Sequence, residues 1–338
     1  MRTWCSTKAL PACLALSAAL FAAAYAAAHA ADRAGAAGDA ASYPNQPVKL
    51  LVATTAGGTA DTLARAIGKH MSERWGQPIV VEQRVGANGM IASAQLKRAP
   101  ADGYTVYLSL SSMVQNVLLQ KEPGYALTDF APVSQVAVFP IAAVLNGEVP
   151  ANSIDEVLAL AGRQPGKLSY GSYGIGSGGH IVGAGLAHQG KVDMVHVPYA
   201  GEAAGFPDLV SGRITLFYAS LGFVAQQAEA GKVKLLAVAS PARLRQFPDI
   251  PTFAEEGFEA VNLPGWSGFF MPRDTPRPIV EKFSAAVRDA VADPAIHQLI
   301  EGYGYVPVGN TPDEFQQVLR TDLQGWRRVI EASAIRLD

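Results

Sequence analysis

Residues 168–180 read LSYGSYGIGSGGH, and residues 52–67 read VATTAGGTADTLARAI. Each glycine cluster follows a strand-like run and precedes a helical pattern, so each marks a turn from strand into helix. In the first, Ala56-Gly57-Gly58 permits a tight turn and Thr59 is placed to cap the helix. In the second, the chain turns from Gly174 to Gly176, and Ser177 is the capping residue. Helix N-termini expose unpaired N–H groups and a partial positive charge, so both loops suit anions. Neither contains Lys or Arg, so an anion there is held by amides and hydroxyls.

Gly174, Gly176 and Gly179 also satisfy the dinucleotide pattern G-x-G-x-x-G. A dinucleotide site needs an acid about 20 positions on, at the end of the next strand. That strand ends His196-Val197-Pro198-Tyr199-Ala200, and Glu202 follows a glycine, where it opens the next helix. GGTADT lacks the Lys-Ser/Thr pair of a phosphate-binding P-loop. The loops therefore predict no cofactor.

Working outward, VKLLVATT (48–55), PIVVEQR (78–84) and YTVYLSL (104–110) read as buried strands. Between the first two lies a helix with Leu63, Ile67 and Met71 on one face. PVSQVAVFPIAAVLN (132–146), broken by Pro140, passes from one domain to another. The alternation then restarts: SIDEVLALAGR is helical, and KLSYGSY, VDMVHVPY, ITLFYAS and VKLLAVAS are strands. WSGFFMP (266–272) is a further strand, and the C-terminus is helical, with Thr311 as N-cap, Pro312 at N1 and Glu314 at N3. The pattern predicts an α/β protein of two lobes, each a mixed, mostly parallel sheet flanked by helices. Lobe 1 takes 43–138 and 245–338, lobe 2 takes 139–244, and two crossings form the hinge.

Residues 1–30 have Arg2 and Lys8 ahead of an apolar Leu/Ala run, and end in Ala28-His29-Ala30. This is a secretory signal peptide cleaved after Ala30, not a membrane anchor. Cys13 follows CSTKALPA rather than a hydrophobic run, which argues against lipidation. Residues 31–42, small and polar, read as a disordered leader. Both cysteines, Cys5 and Cys13, leave with the signal, so the exported chain has neither a disulfide nor a thiol nucleophile. Of 27 basic residues the signal removes Arg2 and Lys8, leaving 25 against 29 acidic ones, a balance of −4. Such a chain is a poor partner for nucleic acid or anionic membrane.

In open α/β sheets, ligands sit beyond the carboxyl ends of strands. That rule adds Ser109, Ser111 and Ser112 after YTVYL, Tyr199 and Gly201 after VDMVHV, and Ala219 and Ser220 after ITLFY. Turn chemistry alone also accounts for such residues. Ser172, Ser177 and Ser267 lack the G-x-S-x-G frame of a hydrolase. His180 and His196 lie near the second loop without a cysteine or carboxylate cluster, so no metal site is expected. For His180, a local hydrogen bond in the first helical turn and a ligand contact stand as equal alternatives.

The chain resembles the substrate-binding proteins of tripartite tricarboxylate transporters, the Bug family, from Tyr43-Pro44 to the C-terminus. The landmarks are YPNQPVKLLV, GGTADTLAR, WGQPIVVEQRVGANG, ADGYTV, DFAPVSQVA, PGKLSYGSYGIGS, HVPYAG, LLAVAS, PDIPTFAEEGF and WSGFFMPRDTP. The resemblance implies a two-lobed, type II-like periplasmic binding protein that closes on a small carboxylate. Its first grip is Gly57 to Asp61, and its second is Gly174 to Ser177, with Tyr199 added by HVPYAG. Three positions depart from the family pattern. Thr54, Thr55 and Ala56 stand where an aromatic and two prolines are common, Ala200 replaces a usual Lys, and Ala219 a frequent Asp. Thr54 makes the site roomier and more polar, so no particular substrate is transferred.

The expected function is a non-enzymatic periplasmic receptor, a monomer, for a small mono- or dicarboxylate. It delivers this ligand to the integral-membrane subunits of a transporter. A receptor feeding a sensor is the alternative, and a periplasmic enzyme of carboxylate metabolism the third reading. The expected ligand contacts are Thr54, Gly57, Gly58, Thr59, Ala60, Asp61, Ser112, Gly174, Gly176, Ser177, His180, Tyr199, Gly201 and Ser220.

Overall fold

The computed structural model describes residues 41–229 and 231–335. The expected signal peptide and its cleavage after Ala30 lie outside the described residues. Ala41 and Ser42, the last two residues of the expected disordered leader, are helical. The described residues 41–45 belong to a unit of their own, with a cis Tyr43–Pro44 peptide. The description below concerns Gln46 onward.

Strands and helices alternate through the first half. β1 (Val48–Val52) leads to α1 (Thr59–Trp75), β2 (Ile79–Gln83) to α2 (Met90–Lys97), and β3 (Thr105–Leu110) to α3 (Ser112–Leu119). β4 (Phe130–Phe139) and β5 (Ile141–Asn146) flank Pro140. α4 (Ile154–Arg163), β6 (Ser169–Ser172), α5 (Gly178–Gln189), β7 (Val195–Pro198) and α6 (Glu202–Val210) follow. Next come β8 (Leu216–Ser220), α7 (Leu221–Glu229) and β9 (Val233–Ala239). The chain ends with β10 (Gly265–Pro272), α8 (Arg277–Ala292), α9 (Pro294–Gly302), β11 (Val306–Pro307) and α10 (Pro312–Ala332). Thr311 accepts from the Glu314 N–H at 3.3 Å, and Glu314 returns a bond to the Thr311 N–H at 2.8 Å, closing the expected capping box.

Two sheets result, in the orders β11-β4-β10-β3-β1-β2 and β7-β6-β8-β5-β9. They are the cores of two lobes. Both sheets are mixed with most strands running one way, as expected. β1 is parallel to β2 and β3, and β6 to β7 and β8, as strand–helix–strand units require. β10, however, runs antiparallel to β3 and β4, and β5 runs antiparallel to β8 and β9. Each is the first strand after a passage between sheets. It enters from the opposite end and slots between strands already running the other way.

The chain passes between sheets at Pro140 and returns between Ala239 and Gly265. α10 adds a third link, because it packs on α3 and β4 of one lobe and on α5 of the other. A methyl on Gly185 of α5 would fall 2.8 Å from Val329 Cγ1 of α10, so glycine is what lets this helix pair close. Along β10, residues alternate between faces. Trp266 and Phe270 meet Phe315 of α10, with the Trp266 and Phe315 rings 5.2 Å apart; Phe269 meets Phe283 of α8 at 5.6 Å on the other side. Burying aromatics on both faces fixes the strand between its helical layers. Trp266 Nε1 donates to the Asp322 carboxylate at 2.9 Å, and burial pushes that carboxyl up to about 7.

Candidate functional site

β1, β3, β6 and β7 each end at a loop that opens a helix, β8 runs straight into α7, and all the sequence-derived site residues sit at these strand ends and helix starts. The first loop is held by one acid. Asp61, buried and one turn into α1, accepts from the Gly57 N–H at 3.0 Å, Arg65 Nε at 3.0 Å and Gln83 Nε2 at 2.7 Å. The Arg65 hydrogen bond holds the Asp61 carboxyl below its usual range. Gly57 takes φ +81°, which favours glycine. The cap differs from expectation: Gly58 is the N-cap, no side chain closes it, and Thr59 is the first helical residue. Helical geometry therefore begins one residue earlier than expected. Among the described residues, the N–H groups of Thr59, Ala60 and Asp61 have no acceptor, as a helix start without a side-chain cap leaves them. Thr54 Oγ1, beneath this loop, is buried without a hydrogen-bond partner.

The second loop is closed by its own side chains. Ser177 is the N-cap of α5, as expected; its hydroxyl accepts from the His180 N–H at 3.3 Å and donates to the Gly174 carbonyl at 2.7 Å. The Gly176 N–H donates to His180 Nδ1 at 3.1 Å, and the Gly179 N–H to the Tyr173 hydroxyl at 3.1 Å. His180 thus makes the local hydrogen bond that was one of its two alternatives. Its ring stacks on His196 with centroids 3.9 Å apart, and His196 stacks on Tyr170 at 5.0 Å. His196 Nε2 lies 2.8 Å from Ser172 Oγ. Ser172 is fully buried and donates to the Gly174 carbonyl, so this pair ties β6 to β7 and the loop. Burial, with His180 alongside, lowers His196 to about 4, and burial lowers His180 as well.

The lobes meet at three points that sequence reasoning missed. Gln115 of α3, only 1 % exposed, has an unpartnered Nε2. A methyl on Gly178, the first residue of α5, would fall 3.3 Å from it. Tyr305 is half-buried, with Thr59 of one lobe and Ser220 of the other near its hydroxyl; desolvation and the Glu202 charge raise its pKa. A methyl on Gly222 of α7 would fall 1.5 Å from the Tyr303 carbonyl oxygen, so two backbones touch there. The strand-end rule brings Thr59 and Ser220 to one place, but nothing local in the sequence points to Gln115 or Tyr305.

Four further expected residues sit at helix starts or strand ends, two of them with side-chain partners within the protein. The Tyr199 hydroxyl donates to Asp208 at 2.9 Å, and its ring packs on Phe217. Gly201 takes φ +103° and opens α6. Ser112 opens α3 in a corner with Gly89 and Ala53: a methyl on Gly89 would fall 3.8 Å from its hydroxyl. Ser220 is bonded to Glu202, through its N–H at 2.5 Å and its hydroxyl at 2.9 Å.

Known proteins share this arrangement. Residues 63–335 match the tripartite tricarboxylate transporter family receptor. The periplasmic binding protein BugD is 30% identical with a TM-score of 0.75, over 87% of this chain and 99% of that one. A Rhodopseudomonas palustris protein solved with adipate is 31% identical with a TM-score of 0.78, over 87% and 99%. MatC from the same organism, solved with bound malate, is 27% identical with a TM-score of 0.75, over 85% and 100%. This chain therefore belongs to the tripartite tricarboxylate transporter receptors, the Bug family of periplasmic solute-binding proteins.

Proposed function

We propose that the protein captures a small organic mono- or dicarboxylate between its lobes and hands it to the integral-membrane subunits of a tripartite tricarboxylate-type transporter. One observation carries this reading: among the described residues, the Thr59, Ala60 and Asp61 amides at the start of α1 have no acceptor, and neither loop contains a cation. Arg65, the nearest base, is taken by Asp61. The macrodipole of a 17-residue helix adds to those amides. Gln115 Nε2 and Thr54 Oγ1 offer further unpartnered groups. The adipate and malate bound by the two Rhodopseudomonas proteins fit a site of this kind. Closure buries the ligand, and the membrane subunits recognise the closed form. The chain acts as a monomer in the periplasm, after cleavage behind Ala30.

Thermal melting of the ligand-stripped protein tests this. A ligand that binds only the folded state adds about 2.7 kcal/mol at a hundred times its Kd. That corresponds to about 2–4 °C per kcal/mol for a chain of this size. At least one C3–C6 carboxylate is expected to raise Tm, and NAD to leave it unchanged. Stabilisation by NAD with every carboxylate silent overturns the reading.

A further inference from the structure

Where the two sheets join, the strand ends form one row. β4 ends at Phe139 and β5 begins at Ile141, on either side of Pro140. On one flank Phe139 pairs with Gly265, the first residue of β10, and Ile141 with Ala239, the last residue of β9. The return passage from Ala239 to Gly265 therefore starts and lands beside the Pro140 passage. On the other flank Ile141 pairs with Ser220, the last residue of β8, and Val138 with Val306, the first residue of β11. No chain links β8 directly to β11, yet their extensions meet. A methyl on Gly222, just past β8, would fall 1.5 Å from the Tyr303 carbonyl oxygen, just ahead of β11. A methyl on Gly304 would fall 2.9 Å from Gly222 Cα. The Leu221 N–H donates to the Pro140 carbonyl at 3.0 Å, and the Tyr305 and Phe139 rings lie 5.4 Å apart. The contact is thus tied to the Pro140 passage from both lobes.

Two neighbouring chain passages let the lobes bend about the row of strand ends, but they are a narrow hinge and resist twisting poorly. A third contact in the same row widens the hinge without blocking the bend. Backbone against backbone has no side-chain rotamers to yield, so such a contact transmits force directly. Only glycine on both sides permits that approach, and Gly304 also takes φ +68°. α10 spans the lobes too, but it lies on the Trp266 face of the first sheet and not in the row. We infer that the Gly222–Gly304 contact is the free-end bearing of the hinge. It keeps the lobes in line as they close, and so positions the first loop against the second without touching the ligand. This rests on the two-lobed binding-protein fold and holds whichever ligand is bound.

The test measures the distance between the lobes in ligand-stripped protein, so it does not depend on the carboxylate-receptor reading. Cys5 and Cys13 lie in the expected signal peptide, so spin labels attach only where cysteine is introduced. Glu73→Cys on α1 and Arg163→Cys on α4 place one label on each lobe at exposed positions. Pulsed double electron–electron resonance then reads the label-to-label distance. A carbon approaches a carbonyl oxygen to about 3.3 Å, so Gly222→Ala is expected to part the chains and to shift or broaden that distance by about 2 Å or more. Gly304→Ala pushes from the other side and is expected to act in the same way. Gly124→Ala is the control: it sits at φ +79° with nothing nearby, so it carries the backbone cost without the contact. It is expected to lose a similar amount of Tm and to leave the distance unchanged. An unchanged distance in folded Gly222→Ala or Gly304→Ala overturns the inference. Loss of folding in both, with Gly124→Ala folded, places the contact in a single rigid core and also overturns it.

Discussion

The two glycine loops look alike in sequence and differ in what they leave open. The first is capped by a glycine, and the amides of Thr59, Ala60 and Asp61 have no acceptor in the described chain. The second spends its amides internally: Gly176, Gly179 and His180 donate to His180 Nδ1, the Tyr173 hydroxyl and the Ser177 hydroxyl. One loop is an acceptor-hungry helix start braced by a charge pair. The other is a packed corner braced by neutral rings. On the reading proposed above, anion affinity is expected to concentrate in the first lobe, with the second lobe supplying shape, rather than in a symmetrical pair of carboxylate grips.

The strongest way to break the contrast is Asp61→Ala. It strands the Gly57 N–H and the Gln83 amide and releases Arg65. Hydrogen bonds to a charged group are worth about 1.5–3 kcal/mol, so a stability loss of about 2–3 kcal/mol is expected by urea denaturation. Carboxylate affinity is expected to collapse with it. A variant that keeps full affinity contradicts the first loop's role.

Gly179→Ala comes next. A methyl there would fall 2.8 Å from the Tyr218 carbonyl oxygen and 2.9 Å from Tyr173 Cε1. Overpacking costs about 1–3 kcal/mol, offset by up to about 1 kcal/mol of helix propensity. The same change at Gly57 meets open space, and its cost comes only from φ +81°. Ser177→Ala is smaller again, about 1 kcal/mol for a lost cap. Its expected effect is on Tm, with carboxylate affinity within about threefold of the original once stability is matched, a factor below 1 kcal/mol. A large affinity loss at Ser177 with an unchanged Tm restores the symmetrical picture.

The smallest expected effect is on pH dependence, and it pits the two histidines His180 and His196 against the two acids Glu202 and Asp322. His196 is lowered to about 4 and His180 is lowered too, so their contribution is full above about 6.5 and is lost as pH falls toward 4. Glu202 and Asp322 are raised to about 7, so theirs is full near pH 4 and is lost as pH rises through 7. The two slopes oppose each other in one window. In urea midpoints at pH 4.5, 6 and 7.5, His196→Gln is expected to steepen the fall toward high pH. Glu202→Gln is expected to weaken that fall and leave the acid-side loss. An unchanged profile in both variants contradicts the assignment.

The fold was legible because its signals are local. β-branched runs, the Pro140 break and the Thr311-Pro312-Glu314 cap name their own elements. Strand direction at β5 and β10 was not legible, because it depends on which lobe the chain has just left. The positions of the loops followed from strand ends, yet their inequality did not. Whether an amide is free depends on Tyr173 and His180 reaching back to it. Gln115 and Tyr305 come from elements remote from the loops. Glu202 was placed correctly at a helix start, and its hydrogen bonds to Ser220 depend on a strand that is remote from it in sequence.

The most direct test is a crystal structure of the protein with a stabilising carboxylate bound. The account predicts carboxylate oxygens within hydrogen-bond distance of the Thr59, Ala60 or Asp61 amides, with Gln115 Nε2 turned toward the ligand. A ligand whose carboxylate sits only against the second loop, or in the groove lined by Lys49, Arg98 and Thr105, would contradict it.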